Sequence, residues 1–478
     1  MTTLRTALEI LALVAFGYFA VLNTIYLVFT GLAWRAVRRY RLARSYSAVD
    51  EAFASPLTPP VSVLLPAFNE EAGIVESVRS LLGLRYPEFE IIVVNDGSVD
   101  GTLTRLAEAF ELVPARKAIR ASLPCARVRA AYASRRHPEL WVIDKENGGK
   151  SDALNCGIDA ARYPYFCAVD ADAILEEDAL LRVAKPILDD PGLVAATGGI
   201  VRIANGCRVD HGRVTNVRLP RSKLAVLQVV EYFRAFLVGR VGWSGMRSLL
   251  IISGAFGLFR RNLVEAAGGY AQGAVGEDVE LVLRLHRYLR ERGEEYRIEF
   301  VPDPVAWTEA PEDFATLSRQ RRRWQRGLGE ALWRHRRVAF NPRYGLLGTL
   351  AVPYFLLFEL VGPIVELVGY PAVVASAALG TLSPAFFVAF FVTAVLVGVF
   401  LSVSALLLEE FSFRRYGDDG DAVRMVLAAI GENLGYRQLV TFWRVLGIVD
   451  MARRRKGWGA MRRRGLGYAP VGGASKGR

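Results

Sequence analysis

Residues 10–32 are almost uninterruptedly apolar. A helix of that length crosses about 30 Å of hydrocarbon, so the run fixes the solvent around this part of the chain before any other feature does. It is too long for the apolar core of a cleaved secretion signal, and no convincing small-residue cleavage site follows. Arg35, Arg38, Arg39, Arg41 and Arg44 come next. Basic residues beside a span stay on the cytoplasmic side, which places the following domain in the cytosol. Two later apolar stretches, 346–368 and 385–408, read as further spans. Glu359 and Glu366 interrupt the first; carboxylates at that depth mark function, or else they are paired or lie near the head groups. Residues 371–384 are too short to cross alone and read as re-entrant or as a tilted crossing, giving three to five spans. The expectation is a multi-pass protein of the inner (plasma) membrane with a cytosolic soluble domain.

The 478 residues suffice for a sizeable soluble core beside these spans. Hydrophobic residues make up 52% of them, too many for an ordinary soluble enzyme. The net charge of +12 requires an acidic counterpart: lipid head groups, a nucleotide diphosphate or nucleic acid. Nucleic acid is disfavoured, because the basic residues cluster beside apolar spans and no groove-reading or base-stacking module is recognisable. Cys125, Cys156, Cys167 and Cys207 show no metal or redox spacing and read as free thiols. The four histidines are scattered, which argues against a histidine-built metal site.

Pro56, Pro59 and Pro60 end a basic linker, 35–60, that follows the N-terminal span, 1–34. From residue 61 strand and helix signals alternate, the pattern of a parallel sheet with crossover helices. Strands are expected at 61–65, 90–94, 141–143, 165–169, 193–203, 251–259 and 298–301, with helices at 70–82, 150–161, 276–292 and 317–337. The basic stretch 116–136 reads as an insertion. The soluble domain runs to about 340, and the membrane region covers 345–411. Residues 412–464 follow; the part from 425 to 449 carries Glu432, Asn433, Arg437 and Arg444 and reads as an interfacial amphipathic segment. The basic clusters 453–456 and 462–464 should stay inside, and the tail 465–478 is expected to be disordered.

An open parallel sheet binds ligands at the carboxyl ends of its strands. Pro66-Ala67-Phe68-Asn69-Glu70, Asn95-Asp96-Gly97-Ser98, Lys150 and Asp170-Ala171-Asp172 all fall at such ends. Each alone has a plain explanation as a turn or a helix cap; four on one rim call for a common cause. Two carboxylates one residue apart on an extended segment project to the same side, so Asp170 and Asp172 suit a ribose and a hard divalent cation, Mg²⁺ or Mn²⁺. Such a metal neutralises a leaving diphosphate. Gln320-Arg321-Arg322-Arg323-Trp324 adds a cationic helix, in which Arg323 suits bidentate contact with phosphate. No Gly-x-x-x-x-Gly-Lys-Ser/Thr loop is present.

The order Asp96, Asp170-Ala171-Asp172, Gly276-Glu277-Asp278 and Gln320-x-x-Arg323-Trp324 resembles the family-2 glycosyltransferases, and within them the membrane-integrated synthases of cellulose, hyaluronan and poly-N-acetylglucosamine. The resemblance covers residues 61–324. It implies a GT-A fold, α/β and Rossmann-like with a mostly parallel sheet, flanked by transmembrane helices. It also implies inverting transfer from a UDP-sugar to a growing β-linked polysaccharide. By that likeness Pro66, Glu70 and Asp96 hold the nucleoside, with Asp96 near the uracil, and Lys150 lies near the nucleotide. Asp170 binds the UDP and Asp172 the metal, while Asp278 is the general base. Gln320, Arg323 and Trp324 border acceptor and diphosphate. Ser253 and Gly254 stand at the acceptor-side loop beside Glu277. The likeness also implies contact with membrane lipids and a small membrane or periplasmic partner subunit. It leaves a lipid acceptor open as an alternative, and more distantly a non-catalytic nucleotide-sugar-binding subunit. From the residues after the membrane region neither a cyclic-nucleotide-binding barrel nor a counterpart of the cellulose enzymes' gating loop is expected.

Overall fold

Val61–Ala67 (β1) is buried along nearly its whole length, as a strand covered on both faces must be. The other strands are β2 (Phe89–Asp96), β3 (Leu112–Pro114), β4 (Val128–Ser134), β5 (Leu140–Lys145), β6 (Tyr165–Val169), β7 (Ile174–Leu175), β8 (Val194–Ile203), β9 (Arg208–Asp210), β10 (Arg213–Asn216), β11 (Phe256–Arg260) and β12 (Arg297–Thr308). In the computed structural model, which describes residues 2–46, 53, 55–416 and 419–453, ten of them form one sheet in the order β3-β4-β5-β2-β1-β6-β11-β8-β12-β7. Its centre, β5-β2-β1-β6, is parallel. β11 then runs antiparallel to both β6 and β8, and β12 returns parallel to β8. The expected α/β fold with its parallel core is present. β9 and β10 form a separate antiparallel pair.

Several boundaries differ from the sequence reading. The first crossover helix is Ile74–Leu82, and residues 71–73 form a turn ahead of it. β11 begins at Phe256, so Ser253, Gly254 and Ala255 lie in the approach to the strand. The 116–136 insertion contributes β4, the second strand in from the sheet edge, between β3 and β5, and its remainder clamps the Lys150–Ala160 helix. Arg120 donates to the Ile158 and Ala161 carbonyls, and the Ala126 N–H donates to the Asp152 carboxylate.

Among the described residues, three helices are long and apolar enough to cross a membrane: Thr3–Leu42, Leu347–Ala378 and Pro384–Ser412. Residues 371–378 continue the second of these past Pro371, and 379–383 turn into the third. Residues 419–452 form two helices, Asp419–Gly431 and Arg437–Ala452, joined through non-helical backbone at Leu434 and Gly435. The second lies against the basic helix Phe314–Arg334. There Arg322 pairs with Asp450 at 2.6 Å, and a Cβ on Gly447 would sit 2.7 Å from the Arg322 carbonyl oxygen. Polar residues that looked interfacial in sequence therefore face other helices. The fully buried pair Arg202–Glu409, 2.5 Å apart, ties β8 to the Pro384–Ser412 helix. The tail 465–478 and the cluster 462–464 lie outside the described residues.

Candidate active site

Because β1, β2, β5 and β6 run the same way, their carboxyl ends share one edge of the sheet. Pro66 lies in β1 and Glu70 just beyond it; Asp96 ends β2, Lys150 opens the helix after β5, and Asp170 follows β6 directly. Facing them are Ser253 and Gly254, the N-terminus of the Glu277–Glu291 helix, and the basic helix. All of these residues line one cavity of about 1120 Å³, together with Asp172, Glu277, Asp278, Gln320, Arg323 and Trp324.

Asp96 is buried, and its carboxylate is already engaged. It accepts from the Lys145 ammonium, from the backbone N–H groups of Gly148 (3.0 Å) and Gly149 (2.7 Å), and from the Asn147 amide (3.2 Å). Asp96 thereby fixes the turn that delivers Lys150. Lys145 is fully buried and also pairs with Asp152 at 2.6 Å. Burial opposes its charge, but the two carboxylates outweigh burial and hold its pKa above the usual lysine value. The sequence reading passed over Lys145, although a lysine ending an otherwise apolar buried strand signals a buried counter-charge.

Lys150 bridges Asp170 (2.6 Å) and Glu277 (2.7 Å). It too is kept charged against burial by those carboxylates. Burial pushes the Glu277 carboxyl up, against the pull of Lys150. Gly254 packs on this bridge: a Cβ there would stand 2.8 Å from the Lys150 nitrogen. Asp170-Ala171-Asp172 is a turn, closed by the Ala173 N–H donating to the Asp170 carbonyl. The two carboxylates thus reach the cavity through a turn rather than through the alternation of an extended strand that the spacing predicts. The Thr308 hydroxyl lies 3.4 Å from Asp172. Asp278 stands in the first turn of its helix, half-buried, with its carboxylate accepting from the Val279 N–H.

Asp313 caps the basic helix by accepting from the Thr316 N–H at 2.8 Å. Along that helix Arg321 pairs with Glu231 and covers the Trp324 ring at 4.4 Å. Trp324 remains 44% exposed, enough apolar ring for a sugar to stack on. Gln320 is buried, and its Oε1 has no hydrogen-bond partner among the described residues.

Among the described residues no three His, Cys, Asp or Glu side chains gather into a metal cage. Two carboxylates on the rim, with remaining positions left to diphosphate oxygens and water, is the donor set that Mg²⁺ and Mn²⁺ use. The residues present fit such an ion.

The cavity continues between the apolar helices and the Arg437–Ala452 helix, where Tyr18, Glu359, Glu366, Arg437 and Arg444 line it. Glu366 accepts from Tyr18 and Thr441, each at 3.0 Å, and lies 3.6 Å from Arg437. Glu359 pairs with Arg444 at 2.8 Å, and Arg444 donates to Gln325, the residue after Trp324. Both carboxylates of the Leu347–Ala378 helix are therefore paired.

Residues 59–327, more than half of the chain, match the family described as "Glycosyltransferase like family 2". The poly-beta-1,6-N-acetyl-D-glucosamine synthase of Staphylococcus epidermidis is 29% identical over 277 residues, which are 57% of this chain and 56% of that one. The enzyme of the same description from Staphylococcus aureus (strain COL) is 30% identical over 303 residues, 63% of this chain and 60% of the relative. The matched part thus spans less than two thirds of these relatives' length. Among solved structures, a mannosyltransferase from Pyrobaculum calidifontis in complex with GDP-Man and Mn²⁺ is 20% identical with a TM-score of 0.47, covering 87% of this chain and 99% of that one. The chain belongs to the family-2 glycosyltransferases.

Proposed function

We propose that this glycosyltransferase transfers sugar from a UDP-sugar, with inversion, to a growing β-linked polysaccharide at the cytosolic face of the membrane. The observation that carries this reading is the cavity's continuity from Asp170 and Asp278 into the membrane helices. An elongating product has somewhere to go.

In this reading Asp278 takes the proton from the acceptor hydroxyl as that oxygen attacks the anomeric carbon from the side opposite the diphosphate, so one carboxylate suffices. Pro66, Glu70 and the Asp96-held turn form the nucleoside side of the cavity. Lys150 and Arg323 present positive charge to the diphosphate, and Arg323 offers a bidentate fork. Asp172 would hold Mg²⁺ or Mn²⁺, with Asp170 at the UDP beside it, and the ion would neutralise charge on the leaving diphosphate. Trp324 offers its ring to the acceptor sugar beside Gln320, with Ser253 and Gly254 opposite.

The test uses the full chain in lipid nanodiscs with Mg²⁺ or Mn²⁺ and a panel of UDP-sugars, reading UDP release and sizing the products. A ladder of water-soluble polymer supports the proposal and names the donor. A product of one or two sugars that partitions into organic solvent replaces the polysaccharide with a lipid acceptor. Binding of UDP with no release from any donor overturns the enzymatic reading.

A further inference from the structure

Arg240 belongs to none of the family-type motifs, yet it lines the cavity at the end of the Arg234–Arg240 turn, where the sheet domain meets the membrane helices. Its guanidinium lies 3.7 Å from the centre of the Phe236 ring. Its Nη1 is sealed from solvent with no hydrogen-bond partner among the described residues. Stacking on a ring satisfies the flat face of a guanidinium and leaves its in-plane N–H donors unspent. A buried cation without a partner is costly, and such groups in a cleft mark sites where a ligand completes the pairing. Burial lowers the guanidinium pKa to about 10, opposed by the nearby charge of Asp278, so it stays charged at neutral pH.

The geometry points to Arg240 as an acceptor-side binding residue, donating hydrogen bonds to an oxygen of the saccharide whose neighbouring hydroxyl is presented to Asp278. The diphosphate side of the cavity already has its cations in Lys150 and Arg323. Arg240 instead stands three residues from Trp243, whose ring packs on Phe29 and Tyr354 of the apolar helices, and the carboxylate charge that acts on it is that of Asp278. An uncharged, oxygen-rich ring needs donors rather than a counter-ion, and an in-plane N–H pair beside the base would set which hydroxyl is offered. The inference rests on the transferase reading with a saccharide acceptor.

The experiment measures initial rates of the full chain in nanodiscs, with the UDP-sugar that it turns over and a short β-linked oligosaccharide of the same sugar as added acceptor. Arg240→Gln and Arg240→Lys are compared with wild type. For Arg240→Gln the KM for the oligosaccharide is expected to rise tenfold or more, while the KM for the donor moves less than threefold. Arg240→Lys keeps the charge but loses the fork, and should show the same split in weaker form. It is the variant read if Arg240→Gln does not fold. An unchanged oligosaccharide KM overturns the assignment, as does a rise confined to the donor KM. If wild type transfers to no oligosaccharide from any UDP-sugar, the polysaccharide reading falls and this inference falls with it.

Discussion

Lys145 is as deeply buried as any residue of the core, and its ammonium is shared by Asp96 and Asp152. Lys145→Met keeps most of the side-chain length and leaves two carboxylates facing each other with no cation. Breaking a buried pair this way costs about 3–5 kcal/mol, so the variant should unfold at a markedly lower temperature in detergent and bind UDP more weakly. A wild-type midpoint would show that the Asp96 cluster does not hold the 147–149 turn. Asp278→Asn is the contrasting case, because the group is half-exposed and its carboxylate accepts from the Val279 N–H of its own helix. Donor binding should persist while transfer falls about 100- to 10,000-fold, the usual contribution of a positioned base; near-normal turnover would remove Asp278 from that role. At this scale the sequence indicates which residues line the cavity where their types stand out in short motifs, as at Asp170, Asp172, Asp278 and Trp324. It was opaque where a partner arrives from afar: Lys145 lies 49 positions from Asp96, and no local pattern announces the pair. Arg240 is hidden for the same reason: it follows Arg234 across a short apolar run, and nothing local announces what it faces.

The Glu277–Glu291 helix and the basic helix meet through two glycines. A Cβ on Gly327 would stand 2.7 Å from the Gly276 nitrogen, and one on Gly276 would stand 3.0 Å from the Gly327 carbonyl carbon. Backbone meets backbone, so nothing flexible can give way. Gly327→Ala must therefore part the helices that carry Asp278 and Arg323. It should cost about 1–3 kcal/mol as overpacking does and lower kcat more than it raises the donor KM. Wild-type kinetics in Gly327→Ala would mean that this spacing does not matter. Farther along the first helix, His286 is fully buried, with Nε2 2.8 Å from the Leu249 carbonyl and Nδ1 2.7 Å from the Tyr296 hydroxyl. Burial lowers its pKa from 6.5 to about 4. The unfolded chain takes the proton near 6.5 and the folded chain only near 4, so the stability is present above 6.5 and lost as pH falls through that window. The slope is about 1.4 kcal/mol per pH unit. Unfolding midpoints between pH 7 and 4 should fall less steeply in His286→Gln; equal slopes would exonerate this histidine. Strands were legible because their apolar runs are local. The 419–452 helices were not, because Glu432, Arg437 and Arg444 are neutralised by Arg234, Glu366 and Glu359. That pairing turns the charged side of these helices toward their neighbours, while Val423, Leu427 and Phe442 stay exposed.

The sheet domain and the membrane helices share one interior. Gln325 stands beside Trp324 on the basic helix, donates to the Glu359 carbonyl and accepts from Arg444, so the motif helix is bonded directly to membrane-region residues. The cavity passes this junction and reaches Leu401 on the Pro384–Ser412 helix. Sequence could supply the spans and the acidic rim, but not their union, since hydropathy says nothing about which polar face lines a shared space. If product extends into the membrane half, narrowing that half should act on chain length rather than on chemistry at the rim. Leu401→Trp adds bulk at a buried cavity-lining position while leaving Asp170, Asp172 and Asp278 untouched. The expected outcome is initial UDP release within about threefold of wild type, a factor worth under 1 kcal/mol, with a product ladder truncated at short lengths. Full-length polymer from Leu401→Trp would mean that the product leaves by another route. Equal loss of UDP release and polymer would mean that the wall had moved the rim itself, a result that Leu22→Trp, on the N-terminal helix lining the same cavity, would separate from a path effect by truncating the product without slowing its start.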